Sequence, residues 1–197
     1  MGPESPAQEG NRQMENGASS YRRFLDGDDK GFVEIVRDHK DGLILYLNSF
    51  VDNIQIAEEL AEDTFVKIGI RKPRFSGRSS FRTWLYAIGR NVAIDHLRKE
   101  SRRRTEPIDS HADIADLESL ENAYISQEEK IAVHRAMGYL RAEYRQVLWL
   151  TYFEGFSNRE TAQIMKKSVH SVETLLYRAR QSLKKVLETE GYINEDL

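Results

Sequence analysis

Between Phe75 and Lys99 the chain reads FSGRSSFRTWLYAIGRNVAIDHLRK, a turn-rich loop running into an aromatic, basic stretch. Ser79 or Ser80 is placed to cap a helix, its side-chain oxygen taking a backbone N–H of the first turn, so helix is expected from near Phe81. Phe81, Trp84, Leu85, Ile88 and Val92 then recur at the three-and-four spacing that gathers side chains on one stripe. Such a stripe demands other apolar surfaces to cover it. Thr83, Arg90 and Ile94 project from another side, while Arg82 and Tyr86 flank the stripe, where they are expected to face solvent or a ligand. Cations neutralise phosphates and aromatic faces hold bases that have left the stack, so this surface suits nucleic acid. Taken alone, the segment also fits an ordinary amphipathic helix with a solvated charged face.

The 197 residues suffice for one medium domain or two small ones, and two fit better because a change of composition divides the chain. Net charge is -3, which says little about partners, whereas its distribution says more. From Lys67 to Arg104 twelve basic residues face Asp95 and Glu100, a balance of roughly +10. From Thr105 to Lys130 eight acids face Lys130, a balance of roughly -7. The chain has no cysteine, so disulfides and cysteine zinc sites are excluded. His39, His96, His111, His134 and His170 lack metal-ligand spacing, and no metal or cofactor is expected. No apolar run is long enough to span a bilayer, and the N-terminus lacks signal-peptide order, so a cytoplasmic protein without membrane insertion is expected.

Residues 1–20 are rich in Gly, Pro, Ser, Asn and Gln, and predict a disordered extension. Met14 is a candidate natural start, and residues 1–13 are set aside as an upstream extension. Asp28 caps a first predicted helix carrying Phe32, Ile35, Val36 and His39, continuing across or beyond Gly42 to Leu43, Leu45, Tyr46, Leu47, Phe50 and Val51. His39 reads as a packed core residue. A second helix is expected from about Asn53 to Ile68, with Ile56, Ala57, Leu60, Ala61, Thr64, Phe65 and Ile68 inward. Glu58, Glu59, Glu62 and Asp63 line its other side, either solvated or set against a basic partner. Pro73 and Gly77 then stop the helix and make a loop.

AEELAEDTFVKI followed by RFSGRSSFRTWLYAIGRNVAIDHLRK resembles region 2 of the bacterial sigma-70 family, specifically its extracytoplasmic-function (ECF) group of RNA polymerase sigma factors. The resemblance implies that the acidic helix docks on the clamp helices of the polymerase β′ subunit, with Glu58, Glu59, Leu60, Glu62, Asp63 and Phe65 as its contacts. It further implies that the loop and next helix melt the minus-10 promoter element and hold its non-template strand. The matching positions are Arg74, Phe75, Ser76, Arg78, Arg82, Trp84, Tyr86, Arg90 and Asn91, with Asn91 where a relative lines the pocket for a flipped base. Opening a duplex costs a few kcal/mol per unstacked base, which stacking and pocketing the extruded bases can recover. No nucleophile is needed.

Residues 101–127 turn from basic to acidic, include Pro107 and read as a flexible linker. The resemblance places the equivalent linker near the RNA exit path of the polymerase, although its acids also suit simple solvation. Beyond it, Ile131, Val133, Ala136, Met137, Leu140, Val147, Leu148 and Leu150 fall on helical faces, broken near Leu140 to Glu143. A turn around Gly155 leads to Ser157 and Glu160, a Ser-x-x-Glu capping box opening a new helix with Thr161, Ala162, Ile164 and Met165. Ser168 caps a long amphipathic helix bearing Val172, Leu175, Leu176, Ala179, Leu183 and Val186. A short helix, a tight turn and a long helix make a helix-turn-helix.

LRAEYRQVLWLTYFEGFSNRETAQIMKKSVHSVETLLYRARQSLKKVL is similar to sigma region 4, the reader of the minus-35 element. Arg159, Ser168, His170, Ser171, Thr174 and Arg178 are its candidate DNA contacts, with Arg180 also available. The chain departs from many relatives at Lys166 and His170, where they carry glycine, and at Glu173, where they carry a basic residue that would not repel phosphate. The expected fold is therefore all-α: region 2 over 21–100, a linker over 101–127 and region 4 over 128–190. The expected function is promoter-directed initiation with core RNA polymerase, through its β′ and β subunits, with promoter DNA and an anti-sigma factor as further partners. A stand-alone helix-turn-helix regulator and a helical adaptor that binds protein alone are the rivals. An enzyme lacks any nucleophile, metal or phosphate-loop constellation.

Overall fold

The computed structural model of the protein describes residues 17–103, 133 and 135–189, all helices and their connections. In the N-terminal half, α1 (17–25) leads to α2 (Asp29–Val51), α3 (Ile54–Arg71) and α4 (Phe81–Arg103). The starts reflect the local chemistry. Asp28 accepts the Lys30 N–H at 3.1 Å, Asn53 accepts that of Ile56 at 3.1 Å, and Ser80 Oγ accepts that of Thr83 at 3.2 Å. The ends of α2 and α3 are left-handed caps at Asp52 and Lys72, φ 53° and 42°.

Leu43, Ile44 and Leu47 of α2, Leu60 and Ile68 of α3, and Phe81 and Leu85 of α4 are almost fully buried. Each contributes roughly 1.5–3 kcal/mol through its removal from water. Two glycines set how closely helices meet. A Cβ on Gly31 would lie 2.2 Å from the Ser20 carbonyl oxygen of α1, and one on Gly89 would lie 2.9 Å from Leu43 Cδ1. α2 runs unbroken through Gly42, which is buried, so the interruption weighed from sequence is a packed position inside one helix.

The C-terminal half begins with a short helical stretch, α5 (135–138), then α6 (Ala142–Leu148), a π-helical turn (Trp149–Phe153), α7 (Asn158–Met165) and α8 (Val169–Thr189). Ser157 and Glu160 form the complete capping box at the start of α7, and Ser168 Oγ accepts the Ser171 N–H at 3.1 Å at the start of α8. Between them Lys166 occupies the left-handed region at φ 54°, the conformation in which glycine is unstrained.

The π turn is absent from the sequence reading. The Glu154 N–H reaches back five residues to the Trp149 carbonyl at 3.1 Å, and the inserted residue rotates the downstream segment by about 100° relative to an α-helix. Trp149, 1% exposed, stacks on Phe153 at 4.5 Å.

The two halves pack directly, α4 against α7 and α2 against α6, and one set of buried apolar residues runs through both. α4 extends to Arg103, three residues into the stretch read as linker. Residues 1–16 and 104–132, which include the rest of that linker and Ile131, lie outside the described residues.

Candidate functional site

Two surfaces on neighbouring helices carry the features singled out in the sequence. On α3, Glu58, Glu59, Glu62 and Asp63 are exposed, and none of the four forms an ion pair among the described residues. The i, i+3 and i, i+4 spacing puts them on one side because the opposite side is committed to the core. Leu60 and Phe65, assigned to the same interface, are 2% and 6% exposed. They hold α3 against its own bundle and leave little surface for a partner. Val66 and Ile70 are instead the apolar side chains of α3 that reach solvent, 53% and 78% exposed, beside the acidic strip.

The second surface spans the 72–80 loop and α4. Arg74, Ser76 and Arg78 are exposed on the loop, and Phe75 is partly buried. Phe75 meets Phe81 edge-on at 5.7 Å and Trp84 at 5.3 Å, and Tyr21 of α1 lies 5.3 Å from Trp84. The Tyr21 hydroxyl donates to the Pro73 carbonyl at 2.7 Å, so α1 secures the loop as well as the ring cluster. Burial raises the pKa of that hydroxyl, which keeps it a donor. Trp84 is therefore a partly buried member of an aromatic cluster. Arg90 and Asn91, a turn or more further on, are partly exposed.

Arg82, Thr83 and Tyr86 differ from the expectation of a solvent-facing edge. Tyr86 is 1% exposed, and its hydroxyl donates to Glu154 at 2.7 Å. Arg82 pairs with the same carboxylate, and its guanidinium lies 4.4 Å from the Phe156 ring centroid. Phe156 also meets Tyr86 edge-on at 5.1 Å. Thr83 and Ser80 donate to Glu160 at 3.2 and 3.3 Å. The reason is the C-terminal half: it covers this side of α4 with an apolar ring and two carboxylates. Periodicity within one helix carries no information about a cover supplied seventy residues later.

Glu154 is the residue that sequence reasoning passed over. It is 4% exposed and accepts from both Arg82 and Tyr86. The available signal is an acid set between aromatics in YFEGF, a poor place for a charge unless something pairs with it. Beneath the contact lies His39 of α2, whose pKa is lowered to about 4 by burial and by the neighbouring Arg82 cation. It is a neutral core residue, 6.1 Å from the Phe81 ring.

On the helix-turn-helix, Arg159, Ser168, His170, Ser171 and Arg178 are exposed and Thr174 is partly so. They stand on the outer side of α7 and α8, opposite Val172, Leu175, Leu176 and Ala179 of the core. Glu173 is exposed on the same helix, and Arg180 lies 5.5 Å from the Tyr152 ring. The chemistry these surfaces offer is that of charge, stacking and hydrogen bonding.

Comparison with known proteins gives the same division. Residues 35–103 match the family model for Sigma-70 region 2, and residues 130–183 match that for Sigma-70, region 4. The RNA polymerase sigma-H factor of Pseudomonas aeruginosa is 32% identical over 179 residues, 84% of this chain and 91% of that protein. The ECF RNA polymerase sigma factor SigW of Bacillus subtilis is 29% identical over 170 residues, 82% of this chain and 91% of its own length. Among solved structures, CnrH in complex with the cytosolic domain of CnrY matches with a TM-score of 0.61 at 26% identity, over 89% of this chain and 97% of that one. RpoE in complex with the anti-sigma factor NepR from Bartonella quintana shares the fold, TM-score 0.62 at 23% identity, over 81% and 98% of the two chains.

Proposed function

Because the chain belongs to the sigma-70 family, in its ECF group of RNA polymerase sigma factors, we propose a division of labour in which each of its exposed surfaces meets one partner. The protein is an alternative sigma factor that binds core RNA polymerase and directs transcription from promoters. In the reading favoured here, the acidic strip of α3 docks on the β′ clamp helices, with Val66 and Ile70 adding apolar contact where Leu60 and Phe65 do not reach. Exposed carboxylates without internal partners need little desolvation to exchange water for a basic surface, and they favour fast, salt-sensitive association.

The 72–80 loop and α4 would hold the opened minus-10 strand. Arg74 and Arg78 are placed for phosphates, and Phe75, Trp84 and Asn91 for extruded bases. The outer side of α8 would read the minus-35 element in a major groove, with Arg159 and Arg178 on the backbone. Strand separation is then driven by binding, with no chemical step by this chain. A cytoplasmic location and control by an anti-sigma factor accompany that role. Among the described residues no helix is long and apolar enough to cross a membrane.

The observation that carries the reading is the presence of both regions, in order, in one chain that covers 91% of a sigma-factor relative. The test is transcription in vitro with sigma-free core polymerase and a library of promoter fragments. Defined start sites that disappear when the protein is omitted are expected. Binding to duplex DNA with no effect on core would favour a stand-alone regulator.

A further inference from the structure

We propose that Tyr21 is a positioning residue for minus-10 recognition: carried by α1, it fixes the start of the 72–80 loop and the ring cluster of Phe75 and Trp84, and so governs which base that surface accepts. This role rests on the assignment of that surface to the minus-10 strand and adds to it a residue from outside the matched region. α1 precedes residues 35–103, the segment that the region 2 model covers. Residues 17–20, expected to be disordered, belong to α1 and are helical.

The loop has little to hold it from within. Among the described residues, no backbone–backbone hydrogen bond involves Pro73 to Ser79. Pro73 has no N–H, so its carbonyl is the polar group it offers, and the Tyr21 hydroxyl donates to that oxygen at 2.7 Å. The Tyr21 ring lies 5.3 Å from Trp84 and 5.5 Å from Phe81, the same two rings that Phe75 meets at 5.3 and 5.7 Å. One residue before Pro73, Lys72 Nζ sits 4.5 Å from the Phe24 ring centroid, a second tie from α1. Beyond Phe75 the ties stop. Ser76, Gly77 and Arg78 are exposed, and a Cβ on Gly77 would meet nothing within 4 Å.

A tie of this kind needs a fixed far end, and α1 is fixed on α2. The Ser20 hydroxyl donates to Glu34 at 2.7 Å, and Arg23 pairs with Glu34 at 2.7 Å and with Asp28 at 3.3 Å. The Ser20 carbonyl passes so close to Gly31 that a side chain there would have no room. Tyr21 itself is 1% exposed, so it acts on DNA through Pro73, Phe75 and Trp84. Without its hydroxyl the Pro73 carbonyl loses a partner, and a loop with no ladder of its own regains conformational freedom. A looser loop fits the preferred base less well and admits others, so discrimination suffers more than binding.

The test compares the full-length protein with Tyr21→Phe, which keeps the ring contacts and removes the hydroxyl. Each is combined with core polymerase and with a promoter set in which every minus-10 and minus-35 base is changed in turn. The readout is the ratio of transcript from the preferred promoter to that from each altered one. For at least one minus-10 position the ratio should fall about fivefold in Tyr21→Phe, the population shift that one net hydrogen bond supports. At minus-35 positions the ratio should hold within about twofold, as should affinity for core polymerase. A second measurement needs no polymerase. The chain has no cysteine, so Ser76→Cys provides a single thiol for a nitroxide label, and in the free protein Tyr21→Phe should increase the label's mobility.

Circular dichroism would show that Tyr21→Phe remains helical. A loss of transcript shared equally by every promoter, in step with a smaller folded fraction, would make Tyr21 a part of the core and nothing more, and would overturn the proposal. Unchanged ratios at every minus-10 position, or a label no more mobile than in the wild type, would overturn it as well. A wild type silent at every promoter removes the sigma-factor reading and the recognition role with it. That result is distinct from a wild type that discriminates beside a variant that discriminates equally well, in which case the role of Tyr21 alone fails.

Discussion

The acidic face of α3 and the cationic, aromatic side of α4 lie on adjacent helices with opposite charge, and the protein treats them differently. Glu58, Glu59, Glu62 and Asp63 stand in water along their length, whereas Arg82, Thr83 and Tyr86 are covered by Glu154, Phe156 and Glu160. Both surfaces carry charge suited to a partner, and one has its partners within its own chain. The contrast teaches that charge alone does not mark a binding surface: exposure separates side chains open to another molecule from those already satisfied within the fold.

The largest effect that could break this comparison is expected at Trp84, where binding and packing overlap. Trp84→Ala should cost about 3 kcal/mol in urea unfolding, since it opens a gap among Tyr21, Phe75 and Phe81. Trp84→Phe should recover most of that stability while still impairing strand opening more than core association. An unchanged unfolding midpoint in Trp84→Ala would show that the ring is free and the α4 surface as open as that of α3.

A pH titration sharpens the same contrast from below. The folded pKa of His39, about 4, lies under its usual value of 6.5, so between these limits the unfolded chain binds more protons. Stability from this source is complete above about pH 6.5 and is lost as the pH falls toward 4, by up to about 3 kcal/mol. Urea midpoints of the wild type should fall across that window, and those of His39→Gln should fall less. Equal slopes would place the imidazole in water.

Charge reversal on α3 is expected to act on binding alone. Glu59→Lys with Asp63→Lys should weaken affinity for core polymerase at least tenfold, about 1.4 kcal/mol, with helical content unchanged. Unchanged affinity would make the face merely solvated. The smallest effect belongs to neither surface. Lys166→Gly relieves a side chain at φ 54° and should raise stability by about 0.5–1 kcal/mol in thermal unfolding, with α8 unmoved.

How far the sequence is legible depends on how local the cause is. Asp28, Asn53, Ser80, Ser157 and Ser168 cap their helices because a cap needs only a neighbour two or three residues away. The inward set of α3 comes from spacing alone. Trp149 does not stand out by spacing because VLWL is apolar at every position, so no period distinguishes its faces, and the π turn before Glu154 leaves no mark on an apolar run. Tyr86 and Glu154 are the converse case: each is polar in its own helix or turn, and the hydrogen bond that satisfies both when buried joins the two halves. Leu60 and Phe65 came from resemblance to a docking helix, yet the spacing that puts Glu59 and Asp63 outside puts these two within.

The central claim is that a basic, aromatic surface captures unpaired promoter bases once the protein is fastened to the polymerase. Permanganate reactivity of thymines across a responsive promoter reports this directly. Reactive thymines around minus-10 are predicted when core polymerase and the protein are both present, and neither alone should produce them. A promoter that is bound by the pair yet stays fully duplex, or is protected by the protein alone, would contradict the account.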